Sequence, residues 1–156
     1  MFDYPFSGSG LVTVDASGRL AIPSFIVETL DRRAAAGMLM IGGHEADPCL
    51  IAYDRAFALI IQADVERRRI AEELIAPRLH HARARRAFGF VEPVRIETGF
   101  IDLPQLMRRR AGIEQYALIV GTGGTFEIWD AQAAVVRGDA DLRELADYHL
   151  QVQQAA

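Results

Sequence analysis

Short apolar blocks separated by polar turns run along the first half of the chain, and they predict a series of strands. These predicted strands cover 11–14, 20–22, 38–41 and 49–53. A helix is predicted over 23–35, because Phe25, Ile26 and Leu30 recur at helical spacing and Gly37 follows as a stop. The pattern therefore predicts two strands, a helix and two further strands.

The same order of elements returns in the second half. The segment 94–104 again contains a strand, a turn, a strand and a proline, and Gly99 and Pro104 keep the spacing of Gly18 and Pro23. The strands that complete this second unit are predicted at 117–121 and 126–130. We interpret this as an internal duplication, in which each copy is a β-β-α-β-β unit.

Helical segments are predicted to link and follow the two units. Asp54 and Asp130 are placed to cap helices that begin directly after a strand, and Asp141 is predicted to cap the last helix. Residues 1–10 are expected to form a loosely held arm. The chain is therefore expected to divide into a first repeat, a helical connector, a second repeat and a C-terminal helix. Their expected bounds are 11–54, 55–90, 91–137 and 138–156.

Composition narrows the class of protein. With 156 residues, of which 51% are hydrophobic, the chain is long enough to bury one sizeable core. No apolar run reaches the roughly 20 residues of a membrane helix, and no secretory signal is visible, so we expect a cytoplasmic protein. A single cysteine excludes an internal disulfide or a multi-cysteine zinc site. The net charge of −4 means that any nucleic-acid site must be a local patch, and all 17 basic residues are arginine.

The polar turn at 15–19 carries the clearest candidate chemistry. Asp15 can accept hydrogen bonds from turn amides, and Gly18 can adopt the positive φ of a tight turn. Arg19 then presents a planar cationic group at the exit of the turn. Pro23 fixes φ for the first turn of the following helix, with Ser24 as an alternative cap.

These residues resemble the MraZ family, the two-repeat branch of the AbrB/SpoVT-like swapped-hairpin proteins. The family pattern is Asp-x-x-Gly-Arg, followed after three residues by proline, and it occurs twice. The first copy is matched at 15–19 and Pro23, and the second at Gly99, Pro104 and the Phe-Glu-Ile-Trp-Asp strand Phe126–Asp130. The resemblance implies an α+β fold of two pseudo-symmetric β-β-α-β-β swapped-hairpin repeats, which form a small barrel with flanking helices.

The resemblance also implies a function. It indicates a sequence-specific, DNA-binding transcriptional regulator that acts on repeats upstream of the division and cell-wall gene cluster. Its expected partners are double-stranded promoter DNA and further copies of itself, assembled as a homo-oligomeric ring. It implies a cytoplasmic, nucleoid-associated protein. We expect no cofactor, no metal and no membrane contact.

The second copy departs from the family pattern at its turn. Ile96 stands at the aspartate position and Phe100 at the arginine position, so DNA contact is not carried over to either residue. Arg95, just before that turn, is a candidate substitute. The residues of the first turn to which the resemblance assigns DNA contact are Asp15, Ser17, Gly18 and Arg19.

Several residues have two interpretations. Phe100 either packs against Ile96 across the turn or exposes an apolar tip where a partner docks. The arginine runs at 67–69 and 108–110 are typical of solvated helix faces. Those at 83–86 have fewer local partners and could alternatively reach DNA or a neighbouring subunit.

Enzymatic signals are weak. The glycine-rich segment 121–125 connects two predicted strands, so it predicts a hairpin turn and not a phosphate loop, which would lead into a helix. His80 and His81 have no accompanying ligand cluster, and we expect Cys49, which begins a predicted strand, to have no nearby histidine partner. We therefore expect no enzyme. The alternatives to a DNA-binding regulator are an oligomeric scaffold with reduced or lost DNA binding and an antitoxin-like partner of a toxin.

Overall fold

The computed structural model describes residues 4–35, 37–73, 75 and 77–156, and within them the chain has an α+β fold. The strands are β1 (Ser9–Thr13), β2 (Arg19–Ala21), β3 (Met38–Gly43), β4 (Leu50–Tyr53), β5 (Val91–Arg95), β6 (Phe100–Asp102), β7 (Tyr116–Gly121) and β8 (Phe126–Asp130). The helices are α1 (Ser24–Arg32), α2 (Arg55–Glu72), α3 (Pro77–Ala84), α4 (Gln105–Ala111), α5 (Ala131–Arg137) and α6 (Ala140–Ala155). A π-helical turn, Arg85–Gly89, continues α3.

The two halves of the chain interleave through their strands. A six-stranded antiparallel sheet has the order β1-β7-β8-β4-β3-β5, and β2 pairs with β6 in a separate two-stranded sheet. The β1–β7, β2–β6, β3–β5 and β4–β8 ladders each join a strand of the first half to one of the second. Only the β3–β4 and β7–β8 hairpin ladders lie within one half among the described strands.

The predicted small barrel does not close in the part of the chain that the structure describes. Single bridges, Val14 with Leu20 and Glu97 with Phe100, connect the large sheet to the small one. The ladder breaks there because the chain turns sharply after β1 and β5. In addition, all three residues of β2 pair with all three residues of β6. The sheets therefore remain open and are linked at two points.

The main core lies on one face of the large sheet. Helices α1 and α4 bury Ile26, Leu30 and Met107 against this face, together with Ile119 of β7. Leu118, one residue earlier in β7, belongs to a second cluster with α5 and α6, because successive strand residues point to opposite faces. None of the helices within the described ranges is both long and apolar enough to cross a bilayer.

Aspartates cap the helices that follow β4 and β8, as the sequence predicts. The carboxylates of Asp54 and Asp130 each accept a hydrogen bond from the amide three residues later. The cap of the last helix is Asp139, so the prediction of Asp141 is wrong. Helix α6 already begins at Ala140, which places Asp141 inside the first turn, where its charge favours the helix dipole.

The N-terminal segment is part of the fold, and the expectation of a loose arm is wrong for its described residues. Phe6 is 1% exposed and packs edge-on against Phe126, with ring centroids 5.1 Å apart. Its amide donates to the carbonyl oxygen of Gly123 at 2.8 Å, so burial and hydrogen bonding both fix it. Residues 1–3 of the predicted arm lie outside the described residues.

Helix α1 is shorter than predicted, and its end forms a buried ion pair. Pro23 occupies the N-cap position, so Ser24 is not the cap, and Ala34 leaves the helix with a φ of 54°. The guanidinium of Arg33 lies 3.0 Å from the carboxylate of Asp54 and 4.1 Å from the centre of the Phe6 ring. These contacts tie the end of α1 to the start of α2.

Candidate nucleic-acid interface

The first turn is held by one aspartate side chain. Oδ1 of Asp15 accepts hydrogen bonds from the Ser17 amide at 2.9 Å, the Ser17 hydroxyl at 2.7 Å and the Arg19 amide at 3.0 Å. The bonds from the Ser17 hydroxyl and from the Arg19 amide hold the pKa of this carboxyl below its ordinary value. The predicted role of Asp15 as an acceptor for turn amides is confirmed.

Gly18 meets the backbone requirement of this turn. Its φ is 92°, which L side chains rarely adopt, and its amide donates to the Asp15 carbonyl oxygen at 3.0 Å. Asp15 and Arg19 bracket a three-residue loop that ends in this left-handed glycine, a common hairpin closure. The Gly18 carbonyl oxygen accepts from the Leu103 amide at 3.0 Å, so the second half also fixes the turn.

Arg108 supports the first turn from helix α4. Its Nη1 donates to the carbonyl oxygen of Ala16 at 3.0 Å, and its Nε donates to that of Ile113 at 3.1 Å. The expectation of a solvated face at 108–110 is therefore wrong for Arg108. The first of these bonds joins residues 92 positions apart, so no local pattern could have indicated it.

The second turn closes differently. Glu97 and Phe100 exchange amide–carbonyl hydrogen bonds at 2.9 and 3.0 Å around a two-residue loop. Both loop residues have positive φ, 50° at Thr98 and 79° at Gly99, as the primed hairpin turns require. Ile96 is half-buried against the main core and offers no side-chain acceptor to this turn.

Arg19 contacts the second turn. Its guanidinium carbon lies 4.8 Å from the centre of the Phe100 ring, and Nη1 lies 3.6 Å from the Asp102 carboxylate, its partner in the β2–β6 register. Phe100 is 39% exposed, and its ring lies against the guanidinium of Arg19, a candidate DNA-binding residue. Neither interpretation of Phe100 from the sequence included this arrangement.

Arg19 and Arg95 line the same shallow cleft of about 230 Å³. Glu97, Phe100 and Asp102 also line it, and Arg95 is exposed without an ion-pair partner among the described residues. Asp15 lines a separate depression beside Arg108. The structure thus brings together the two predicted arginines, and Asp15, Ser17 and Gly18 shape the loop from which Arg19 projects.

The other arginine runs are mostly neutralised. Arg69 pairs with Glu66 and Glu73, which confirms the expectation of a solvated, balanced face at 67–69. Arg83 pairs with Glu72 and Glu45, so the possibility that this residue reaches DNA unpaired is not supported by its geometry.

The expectation that Cys49 has no nearby histidine partner is wrong, because the β3–β4 loop brings His44 back beside it. His44, Cys49 and Glu127 place ligand-type atoms within 4.8 Å of one another, and burial raises the pKa of the Cys49 thiol. Nδ1 of His44 accepts from the amides of Ala46 and Asp47, both at 3.0 Å. Nε2 therefore carries the proton and donates to Glu127 at 3.1 Å. A metal at Nε2 would have to displace that proton. The hydrogen bonds therefore favour a structural role for these three side chains over metal binding.

The similarity of this chain to known proteins extends over most of its length. No family model matches it. It is 30% identical over 139 residues to the transcriptional regulator MraZ of Pseudomonas savastanoi pv. phaseolicola, covering 88% of this chain and 87% of the relative. The MraZ of Saccharophagus degradans is 31% identical over 132 residues, 82% and 84% of the two chains, and that of Burkholderia mallei is 30% identical over 140 residues, 89% and 92%. The chain therefore belongs to the MraZ family of transcriptional regulators.

Proposed function

We propose that this protein regulates transcription by binding double-stranded DNA through the cleft between its two hairpin turns. The observation that carries this proposal is the convergence of Arg19 and Arg95 on one exposed cleft. Arginine forms bidentate contacts with phosphate and with guanine. In this proposal Arg19 and Arg95 contact DNA, while Asp15, Ser17 and Gly18 hold the loop in a conformation that presents Arg19.

The pair between Arg19 and Asp102 does not block this role. The Asp102 side chain is 70% exposed, and exposed ion pairs contribute only about 0–1 kcal/mol, so a DNA phosphate can displace the carboxylate. The contact with the Phe100 ring limits the orientations of the guanidinium group. We infer that Phe100 acts as a platform that orders Arg19.

The chain architecture fits a duplicated swapped hairpin. We propose that 11–54 and 91–137 are the two repeats, that 55–90 is a helical connector, and that 138–156 is a C-terminal helical segment. The four ladders that pair strands of one half with strands of the other support this division. The matching aspartate caps after β4 and β8 also support it.

One chain alone would bind DNA weakly. Each neutralised phosphate changes the salt slope of binding by only about −0.9, and the net charge of −4 opposes non-specific binding. We therefore propose a nucleoid-associated homo-oligomeric ring that binds tandem repeats upstream of the division and cell-wall gene cluster, because linked sites gain avidity through effective concentration.

Arg19→Ala and Arg95→Ala test the interface. With a labelled fragment of the DNA upstream of the protein's own gene, fluorescence anisotropy at moderate salt should show at least tenfold weaker binding for Arg19→Ala. Arg95→Ala should have a smaller effect in the same direction. Arg137→Ala, an exposed arginine on α5, is the matched control and should bind like the unaltered protein. Equal affinity of the Arg19→Ala and Arg137→Ala proteins would refute the proposal.

An oligomeric scaffold with lost DNA binding is the second candidate. It is favoured by the absence of an arginine at Phe100 and by the acidic partner of Arg19 at Asp102. In this case the protein would assemble into oligomers, which light scattering would detect, yet show no binding to the upstream fragment even at low salt. Binding that disappears when the DNA repeats are scrambled would instead support the regulator.

A further inference from the structure

A cavity of about 620 Å³ lies between the large sheet and the connector helices, away from the arginine cleft. Its wall on the sheet side includes Ile51 and Tyr53 of β4, and Phe57 and Ile61 of α2 lie on the helix side. The core on the other face of the sheet does not include these side chains. The volume lies within the range of about 300–1,000 Å³ that is typical of small-molecule sites.

Tyr53 supplies a hydroxyl group in this apolar setting. It is 4% exposed, and its ring packs against Phe57 with centroids 5.9 Å apart. Its hydroxyl makes no hydrogen bond to any residue that the structure describes. Burial raises the pKa of the phenol, which keeps it a neutral donor. Tyr53 lines the cavity, so its hydroxyl can donate a hydrogen bond to an acceptor on a bound ligand.

The charged residues that line the cavity lie on α2, on α3 and the π-helical turn after it, and on the β3–β4 loop. Four arginines line it against two carboxylates, namely Arg67, Arg68, Arg83 and Arg86 against Glu45 and Asp64. Arg67, Arg68 and Arg83 pair with Asp64, Glu45 and Glu72, so four arginines face three carboxylates and one positive charge is in excess. Arg86 donates to the Glu45 carbonyl oxygen and has no carboxylate partner among the described residues. The helical rise places Phe57 and Arg68 about 16 Å apart along α2, so Tyr53 and the arginines mark opposite ends of an elongated cavity.

We propose that this cavity binds an elongated amphipathic anion. The negatively charged head would pair with Arg86 at the arginine end, the apolar body would pack between β4 and α2, and an oxygen near the far end would accept a hydrogen bond from Tyr53. Within the described chain, no residue lines both this cavity and the cleft of Arg19 and Arg95, so the proposal does not depend on DNA binding.

Isothermal titration calorimetry with dodecanoate, kept below its micellar concentration, tests the site in the full chain. Dodecanoate should bind saturably with one site per chain, and dodecyltrimethylammonium, which has the same tail and a positive head, should bind at least tenfold more weakly. Ile61→Trp fills the cavity and should weaken dodecanoate binding at least tenfold. Ile70→Trp places the same side chain on an exposed position of α2 outside the cavity, and binding should stay within twofold.

A conservative variant tests the hydroxyl. The probe 12-hydroxydodecanoate should bind several-fold more tightly than dodecanoate, and Tyr53→Phe should remove that difference. The same substitution should leave the melting temperature unchanged or raise it, because the hydroxyl it deletes bonds to nothing in the described protein. Absence of saturable dodecanoate binding, equal binding of the cationic amphiphile, equal losses in Ile61→Trp and Ile70→Trp, or a hydroxyl effect that survives Tyr53→Phe would overturn the proposal.

Discussion

At the first hairpin turn the Asp15 carboxylate accepts three hydrogen bonds. At the second turn Ile96 occupies the corresponding position, and its side chain has no atom that can accept a hydrogen bond. The first turn closes around three residues and ends at Gly18. The second closes around two, and Thr98 adopts a positive φ of 50°. Two segments of equal length in the sequence thus form different loops, because only one contains a side-chain acceptor for the loop amides.

The second departure from the family pattern, phenylalanine instead of arginine at position 100, has a different consequence. In the family pattern both turns end in arginine, and here the second ends in Phe100, which lies 4.8 Å beneath Arg19. The β2–β6 ladder sets Arg19 opposite Asp102 and Ala21 opposite Phe100, so the two turns meet. The phenylalanine that stands in place of the second arginine therefore contacts the first arginine, so the residue at the second turn affects the first turn.

The helix caps provide a second comparison between the halves. Asp54 has a fully buried side chain and pairs with Arg33. Asp130 is half-buried, and among the described residues its side chain accepts only from the backbone amides of Ala133 and Glu114. The same residue type after the same strand is thus a buried charge in the first half and an ordinary cap in the second.

We expect the largest effect on stability from removing the first of these caps, and a smaller one from removing the second. Asp54→Ala should lower the free energy of unfolding by about 3–5 kcal/mol, because it removes both the helix cap and the carboxylate that lies 3.0 Å from the buried Arg33 guanidinium. Asp130→Ala should cost about 0.5–2 kcal/mol, the usual loss of a helix cap. Denaturant unfolding of both variants measures the difference, and equal losses would show that the buried pair contributes nothing beyond capping.

Changes at Phe100 should alter DNA affinity by up to about tenfold. Phe100→Arg restores a cation at the second turn, so binding should strengthen and the salt slope should become steeper by about 0.9. Phe100→Leu removes the stack without adding charge and should weaken binding several-fold, because Arg19 loses its platform. Anisotropy titrations at several salt concentrations distinguish these results. A Phe100→Leu protein that binds as tightly as the unaltered one would exclude the platform role.

Glycine substitutions should change the two turns in opposite directions. Thr98→Gly should stabilise the protein by about 1 kcal/mol, because a β-branched residue is strained at positive φ. Ser17→Gly, at the matching position of the first turn, should destabilise it, since the Ser17 hydroxyl bond to Asp15 is lost. Thermal unfolding of the two variants provides the test, and shifts of the same sign would mean that the loops are equivalent.

The smallest expected effect is a dependence on acid. The pKa of Asp15 is lowered in the folded state, so its hydrogen bonds stabilise the protein fully above the ordinary aspartate pKa and lose this effect as the pH falls through the folded value. Asp15→Asn should remove that part of the acid dependence. Unfolding midpoints of both proteins between neutral pH and about pH 3 should therefore converge toward the acid end. Parallel curves would contradict the assignment.

Local features of the fold followed from the sequence. The Asp15 turn and the caps at Asp54 and Asp130 each depend on residues a few positions apart. Composition and spacing describe such short-range hydrogen bonds well. The prediction of Asp141 as a cap was wrong by two residues, because two aspartates near one helix start compete for the same role.

Contacts across the halves did not follow from local patterns. The support of Ala16 by Arg108 and the stack of Arg19 on Phe100 arise only once β2 and β6 are in register. The burial of Phe6 depends on the β7–β8 turn in the same way. The candidate DNA residues could therefore be chosen from the sequence, while their surroundings required the tertiary structure.

The interleaved strand order also has a consequence for biosynthesis. Ser9 pairs with Val120 and Leu50 pairs with Ile128, so strands synthesised early must wait for partners near the end of the second half. Until then the first half leaves the ribosome with unpaired strand edges, which are templates for association with other chains. Release of an incomplete chain would yield an aggregating fragment, and the folded protein becomes attainable only after β8 has emerged.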